Sequence, residues 1–177
     1  METFPTITIT RHTSEREAIE LAADCRMCGK CCQFGSGFLS PRDFPRLAKH
    51  LGVSQEVLMR DYLEKRNIFN TEVFRPRLIR KKGKQYGICI FYRNREGCIV
   101  HGVKPLHCKV TSPCSRYGKE LDQWFLLNHV VNAADPESIR QWATYLRFNK
   151  AIPGGELKDL VRDQAKLKRI LGYEILK

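Results

Sequence analysis

A small, cysteine-rich, metal-centred α+β fold, mainly helical, with short β-hairpins and a C-terminal helical extension, is what this sequence predicts. Three observations carry the prediction. Four of the eight cysteines, Cys25, Cys28, Cys31 and Cys32, fall within eight consecutive positions, and the other four, Cys89, Cys98, Cys108 and Cys114, fall within one later segment. Amphipathic helical patterns occupy both ends of the chain, whereas residues 73–92 turn to β-branched and aromatic types broken by glycine-containing turns. At 177 residues the chain is long enough to bury a true hydrophobic core, so it does not need disulfides to fold. The expected organisation is a cysteine-cluster domain over 1–117 and a helical extension over 118–177 packed on it as one globular unit.

Thr6-Ile7-Thr8-Ile9-Thr10 alternates polar and apolar β-branched residues, the pattern of a short edge strand. Ser14 and Glu17 have capping-box spacing ahead of Ile19, Leu21, Ala22 and Ala23, which predicts a helix over 14–24 that delivers Cys25. If that helical turn continues, Cys25, Cys28 and Cys32 share a face at i, i+3, i+7 while Cys31 points elsewhere, so the adjacent thiols are expected to take two different roles. A proline is tolerated only in a first turn, so Pro45 moves the start of the next helix from Ser40-Pro41 to Asp43, and Gly52 ends it. Ser54 then caps a helix with Val57, Leu58, Tyr62 and Leu63 on its buried side.

Lys81-Lys82-Gly83-Lys84 reads as the turn between strands near 77–80 and 85–91, a hairpin that delivers Cys89. Asn94-Arg95-Glu96-Gly97 is a second turn leading to Cys98, and Lys104-Pro105 stiffens the approach to Cys108. Residues 121–131 form an apolar helix with Trp124, Phe125 and Leu127, and Asp135-Pro136 opens another bearing Ile139, Trp142 and Leu146. After Pro153-Gly154-Gly155, a last helix carries Leu157, Leu160, Val161, Leu167 and Leu171 to a stop at Gly172.

The thiols carry the chemistry. Two cysteines separated by two residues form a tight knuckle from which both thiolates reach one ion at about 2.3 Å. Cys25 with Cys28 and Cys28 with Cys31 both meet that condition, and C-x2-C-x2-C is also a run that grips a four-iron cluster, although the C-x3-C-P continuation is absent. Soft thiolates suit zinc and iron alike, so zinc, iron and an iron–sulfur cluster all stay open, with all eight cysteines as candidate ligands.

The first residues lack the basic start and apolar core of a secretory signal, and no apolar run approaches the ~18 residues of a membrane span, so a cytoplasmic protein off the membrane is expected. In a reducing compartment such spacing favours metal over disulfides, and the neighbours Cys31 and Cys32 make an awkward disulfide pair. His101, three residues after Cys98, and His107, beside Cys108, are secondary candidates, because lone histidines in basic loops are mostly ordinary surface residues. Arg26, Lys30, Lys104 and Lys109 are placed to stabilise thiolates.

The residues around the thiols resemble a known family, the bacterial and archaeal cysteine-cluster (YkgJ-like) proteins with the CxxCxxCC zinc- or iron-chelating domain. Cys25-x2-Cys28-x2-Cys31-Cys32 is similar to its opening signature. The run from Leu39 through Asp43 and Arg46-Leu47-Ala48 to Leu51-Gly52 is similar to its "lt-x-x-D-x-x-r-l-a-x-x-l-g" stretch, and Cys89-Ile90-Phe91, Cys98-Ile99 and Pro105-x2-Cys108-Lys109 to its second half. The resemblance spans about 25–117. His101 stands where the family has tyrosine, Lys104 and Lys109 stand for arginines and lose the planar fork, and Cys114 adds an eighth thiol to the usual seven. It implies zinc or iron binding and, for an enzyme, an iron–sulfur oxidoreductase.

Lysine and arginine number 31 against 19 acidic residues, a formal charge of +12 with neutral thiols. Thiolates formed on metal binding cancel part of that excess. The rest leaves an alternative open, a basic zinc-stabilised module that engages nucleic acid or protein through Arg75, Arg77, Arg80, Lys81, Lys82 and Lys84 around Tyr86. A solvated hairpin explains those residues equally well. No glycine-rich phosphate or dinucleotide loop accompanies the cysteines, and no catalytic residue stands out.

Overall fold

The computed structural model describes residues 7–22 and 25–173. Ser14 Oγ accepts from the Glu17 N–H at 3.2 Å and the Glu17 carboxylate accepts from the Ser14 N–H at 2.8 Å, so helix α1 (Glu15–Leu21) starts at the expected capping box. It stops at Leu21, where Ala22 turns extended; residues 23 and 24, the expected end of the helix, lie outside the described residues. The edge strand expected over 6–10 is corrected in part. Thr6 lies outside the described residues, and residues 7–10 form no strand. Ile9 is instead buried in a helical core, and the Arg11 N–H donates to the Pro153 carbonyl at 2.9 Å. β-branched alternation marks a half-buried surface, which a tethered irregular segment also provides.

A short helix α2 (Lys30–Phe34) follows the irregular stretch 25–29. Helix α3 (Asp43–Leu51) starts at Asp43, with Pro45 in its first turn, and ends at Gly52 in the left-handed conformation (φ 67°). Ser54 caps α4 (Gln55–Val57) through the Val57 N–H at 3.3 Å, but the expected long helix is not realised. The chain widens into one π-turn over Leu58–Tyr62 and becomes extended at Leu63.

Strand β1 (Leu63–Ile68) then pairs antiparallel with β2 (Thr71–Pro76). The two turn residues, Phe69 (φ 50°) and Asn70 (φ 54°), both have positive φ, which matches the strands' twist. β3 (Leu78–Ile79) pairs with β4 (Ile88–Cys89), and β5 (Tyr92–Arg93) with β6 (Gly97–Cys98), at the two turns the sequence predicts. A 3₁₀ turn (His101–Val103) leads to helix α5 (Leu106–Val110).

Helices α6 (Gly118–His129) and α7 (Pro136–Leu146) follow, α7 capped by Asp135, whose carboxylate accepts from the Glu137 N–H at 3.1 Å. The single terminal helix expected from the apolar stripe is two, α8 (Leu157–Leu160) and α9 (Gln164–Leu171). Val161 is extended between them, and the Asp163 carboxylate starts α9 by accepting from the Lys166 N–H at 3.0 Å.

The fold is thus the mainly helical α+β expected, with small two-stranded sheets. One core packs Ile9, Ala18, Leu106 and Val110 against α6 and Trp142; a second joins Leu47, Leu58 and Leu63 to Cys89, Phe91 and Val100. Cys89 therefore sits inside a packed layer rather than in a loop. Tryptophan N–H groups tie distant segments: Trp124 donates to the Thr13 carbonyl at 2.7 Å and Trp142 to that of Gly155 at 2.9 Å.

All three arginines of the basic 75–84 run are committed to this frame. Arg80 grips both oxygens of Glu64 on β1 at 2.7 and 2.6 Å, and Arg75 bonds the same carboxylate at 2.7 Å. Arg77 donates to the Arg60 carbonyl at 2.7 Å. Arg80 first, then Arg75, hold the Glu64 carboxyl down to about 2 against its partial burial. A depressed carboxylate pKa contributes stability that is complete above the ordinary value of 4.5 and is lost as pH falls through about 2. Glu64→Gln is expected to cost about 1–3 kcal/mol in urea denaturation at neutral pH, and its deficit against the parent should shrink between pH 4.5 and 2. Equal stability of the two proteins at neutral pH would contradict this.

Candidate metal centre

Because α1 stops at Leu21, the first cysteine run is not helical throughout. Met27 (φ 53°) and Gly29 (φ 74°) turn the chain left-handed between Cys25 and α2. Gly29 is required there, since a Cβ would press into the Tyr92 ring as well as strain the backbone. The i, i+3, i+7 grouping of Cys25, Cys28 and Cys32 therefore loses its basis. Instead α2 carries Cys31 and Cys32 with their sulfurs 3.8 Å apart. The second run arrives on three elements: Cys89 on β4, Cys98 on β6 and Cys108 on α5, with α2 lying against β4.

These pieces line a partly open cavity of about 370 Å³ whose wall includes Cys25, Cys31, Cys32, Cys89, Cys98 and Cys108, together with His101 and Lys104. Cys28 and Cys114 are exposed and are not among its lining residues, although Ser112 and Pro113 are. As placed, no three His, Cys, Asp or Glu side chains among the described residues stand close enough to hold one ion. Binding an ion thus requires the sulfurs to close in across the cavity.

The thiols differ in acidity for identifiable reasons. Hydrogen bonding from Cys32 holds the Cys31 thiol down to about 6 against its burial, with help from backbone N–H groups and the Lys104 charge. Cys98 is lowered to about 7 by its hydrogen bond from Cys32, again aided by a backbone N–H and Lys104. Cys32 is pushed up because it keeps the proton that both neighbours draw on. Burial pushes Cys89 up to about 11 and Cys108 up to about 12, the latter opposed by the Gly37 N–H. Of the four cations expected near the thiols, Lys104 lines the cavity, Lys109 is partly buried and its pKa is lowered first by that burial, and Arg26 and Lys30 are exposed.

A frame of polar contacts fixes Cys108. The Asp43 carboxylate is fully buried and accepts from the Ser40 N–H (2.7 Å), the Ser40 hydroxyl (2.8 Å) and the Leu106 N–H (3.0 Å), with Arg46 at 3.3 Å. One oxygen thereby joins the approach to α3 with the first residue of α5. His107 Nδ1 accepts from the Phe38 N–H at 3.0 Å, so its proton lies on Nε2, which donates to Asp122 at 2.8 Å. The ring stacks between Phe38 and Phe125, with centroids 5.3 and 4.3 Å away. Both nitrogens are engaged, so His107 is a positioning residue. The Gly37 N–H donates to Cys108 Sγ at 3.2 Å, and a Cβ at Gly37 would lie 2.7 Å from that sulfur.

Sequence reasoning missed the parts played by Gly37 and Asp43, whose only signal was their place in and beside the family-like stretch. His101 differs from His107: its Nε2 is the one buried side-chain polar atom without a hydrogen-bond partner among the described residues. The six cysteines on the cavity wall, with His101 beside them as a borderline imidazole donor, fit zinc or iron.

Compared with known proteins, residues 24–128 match the family described as CxxCxxCC, "Putative zinc- or iron-chelating domain". No curated protein and no solved structure matches the chain.

Two substitutions test the frame around Cys108. Gly37→Ala should cost about 1–3 kcal/mol from overpacking. Asp43→Ala should cost about 3 kcal/mol or more, because three buried donors lose their acceptor. Denaturant unfolding measures both, and parent-like stability in either variant would show that its contacts do not hold the cavity wall.

Proposed function

The chain belongs to the CxxCxxCC family, a metal-chelating family, and on that premise we propose that it binds zinc or iron in the cysteine-lined cavity. The observation that carries this reading is the meeting of six thiols from four elements and an irregular segment on one wall. The ligands are drawn from Cys25, Cys31, Cys32, Cys89, Cys98 and Cys108, and Cys28 and Cys114, exposed outside the cavity lining, stay outside the proposed donor set. The 3.8 Å approach of Cys31 and Cys32 on one helix favours a shared centre over separate roles for the two.

Zinc bound there would supply a structural cross-link or a Lewis acid, and iron or an iron–sulfur cluster would supply electron transfer. The chain's own groups prepare the donors. Cys31 and Cys98 yield thiolate readily beside Lys104, whose charge offsets the site's negative charge. The Gly37 N–H supports the Cys108 sulfur, and Asp43 with His107 sets where that sulfur stands.

The cytoplasm is the proposed location, where closely spaced cysteines favour metal over disulfides. No helix among the described residues is long and apolar enough to cross a membrane. The segment over 118–177 is taken as helical scaffold for the cysteine domain. With Arg75, Arg77 and Arg80 committed to the hairpins, the alternative of a nucleic-acid or protein module rests on Lys81, Lys82, Lys84 and Tyr86, and metal chelation is the better-supported reading.

Anaerobic purification followed by metal and acid-labile sulfide analysis tests the proposal. At least about one equivalent of zinc or iron per chain is expected, and sulfide with iron identifies a cluster and a redox role. Cys31→Ser and Cys32→Ser should lose the same metal to a similar degree. A folded protein with neither zinc nor iron would overturn the proposal.

A further inference from the structure

His101 carries an inference beyond the thiols. It opens the 3₁₀ turn three residues after Cys98, so the pair has the C-x2-H spacing of a chelating knuckle. Its Nε2 is buried with no hydrogen-bond partner, and the residue lines the same cavity as Cys31, Cys32, Cys98 and Lys104. A buried nitrogen left unpaired is destabilising, and a ligand that engages it removes that penalty. The contrast with His107 sharpens the point, because both nitrogens of that ring are already engaged by Phe38 and Asp122.

We propose that His101 is itself a ligand, its Nε2 completing a mixed thiolate–imidazole centre with cavity thiols that include Cys98. The inference rests on the metal-binding reading above. The ring binds as the neutral imidazole with its proton on Nδ1, so it adds a donor without adding negative charge. Charge balance favours this choice. A divalent ion with four thiolates carries a net charge of −2, whereas three thiolates and an imidazole carry −1, which Lys104, the one lysine or arginine among the described lining residues, neutralises.

The test is X-ray absorption at the zinc edge on the full chain loaded with zinc alone, with zinc affinity measured by chelator competition. The parent is expected to show sulfur scatterers near 2.3 Å together with one nitrogen at about 2.0–2.1 Å that has imidazole outer-shell scattering. His101→Gln should lose the imidazole signature and hold zinc more than about a hundredfold more weakly, since even outer-shell losses cost about 10–100-fold. His101→Cys should restore binding with a sulfur-only shell. A parent spectrum with sulfur alone, or a His101→Gln protein with parent affinity and spectrum, would overturn the assignment while leaving thiol chelation intact. A parent that takes up no zinc, with iron equally absent on direct loading, would overturn both.

Discussion

The position of Cys108 depends on one buried carboxylate. Asp43 accepts four hydrogen bonds, two from Ser40, one from Arg46 and one from the Leu106 N–H, and so pins the first turn of α5 to the loop before α3. His107 repeats the joint from the other side by linking the Phe38 N–H to Asp122 on α6, and the Gly37 N–H reaches the cysteine sulfur itself. Residues 37–43 are thereby stitched to residues 106–108. Charge-assisted bonds to a buried carboxylate are worth about 1.5–3 kcal/mol each, and their loss leaves donors stranded. The two distant cysteine runs meet because the chain between them is fastened to the second run.

Much of this frame was legible in the sequence where a local rule decides the outcome. Ser14 with Glu17 set a helix start, Pro45 forced another to begin at Asp43, Gly52 closed it, and Asp135-Pro136 opened α7. Both glycine turns before Cys89 and Cys98 stand where they were expected. The misses are places where tertiary context overrides local preference. The segment Leu63-Glu64-Lys65-Arg66-Asn67-Ile68 has the composition of a helix surface, yet it pairs as a strand because Glu64 meets Arg75 and Arg80 across the hairpin. The long terminal helix breaks at Val161, which is buried against Ile139 and Ile170. Spacing named the eight thiols as candidates, but only the folded chain distinguishes six that line the cavity from Cys28 and Cys114, which do not.

The histidines show why spacing alone is incomplete. His101 and His107 look alike in sequence, each close to a cysteine in a basic loop. In the fold one is spent on structure and the other presents an unpaired nitrogen. The cysteines divide in a comparable way. Cys89 and Cys108 are raised by burial, whereas Cys31 and Cys98 share the Cys32 proton beside Lys104 and form thiolate near neutral pH. A cavity that holds thiolates ready next to thiols that ionise only under the pull of a cation suits a site that captures a soft metal ion and tightens around it.

The most direct test of this account is site-resolved alkylation of the full chain, quantified by mass spectrometry before and after metal is stripped with a chelator. Cys25, Cys31, Cys32 and Cys98 are all at least partly exposed on this fold, so each is open to the reagent unless something in the cavity covers it. The account predicts that these four are protected together in the metal-loaded protein and become reactive together once the metal is removed. Alkylation of all four at the same rates in both samples, with metal present in the first, would place the metal elsewhere and contradict the cavity as its site.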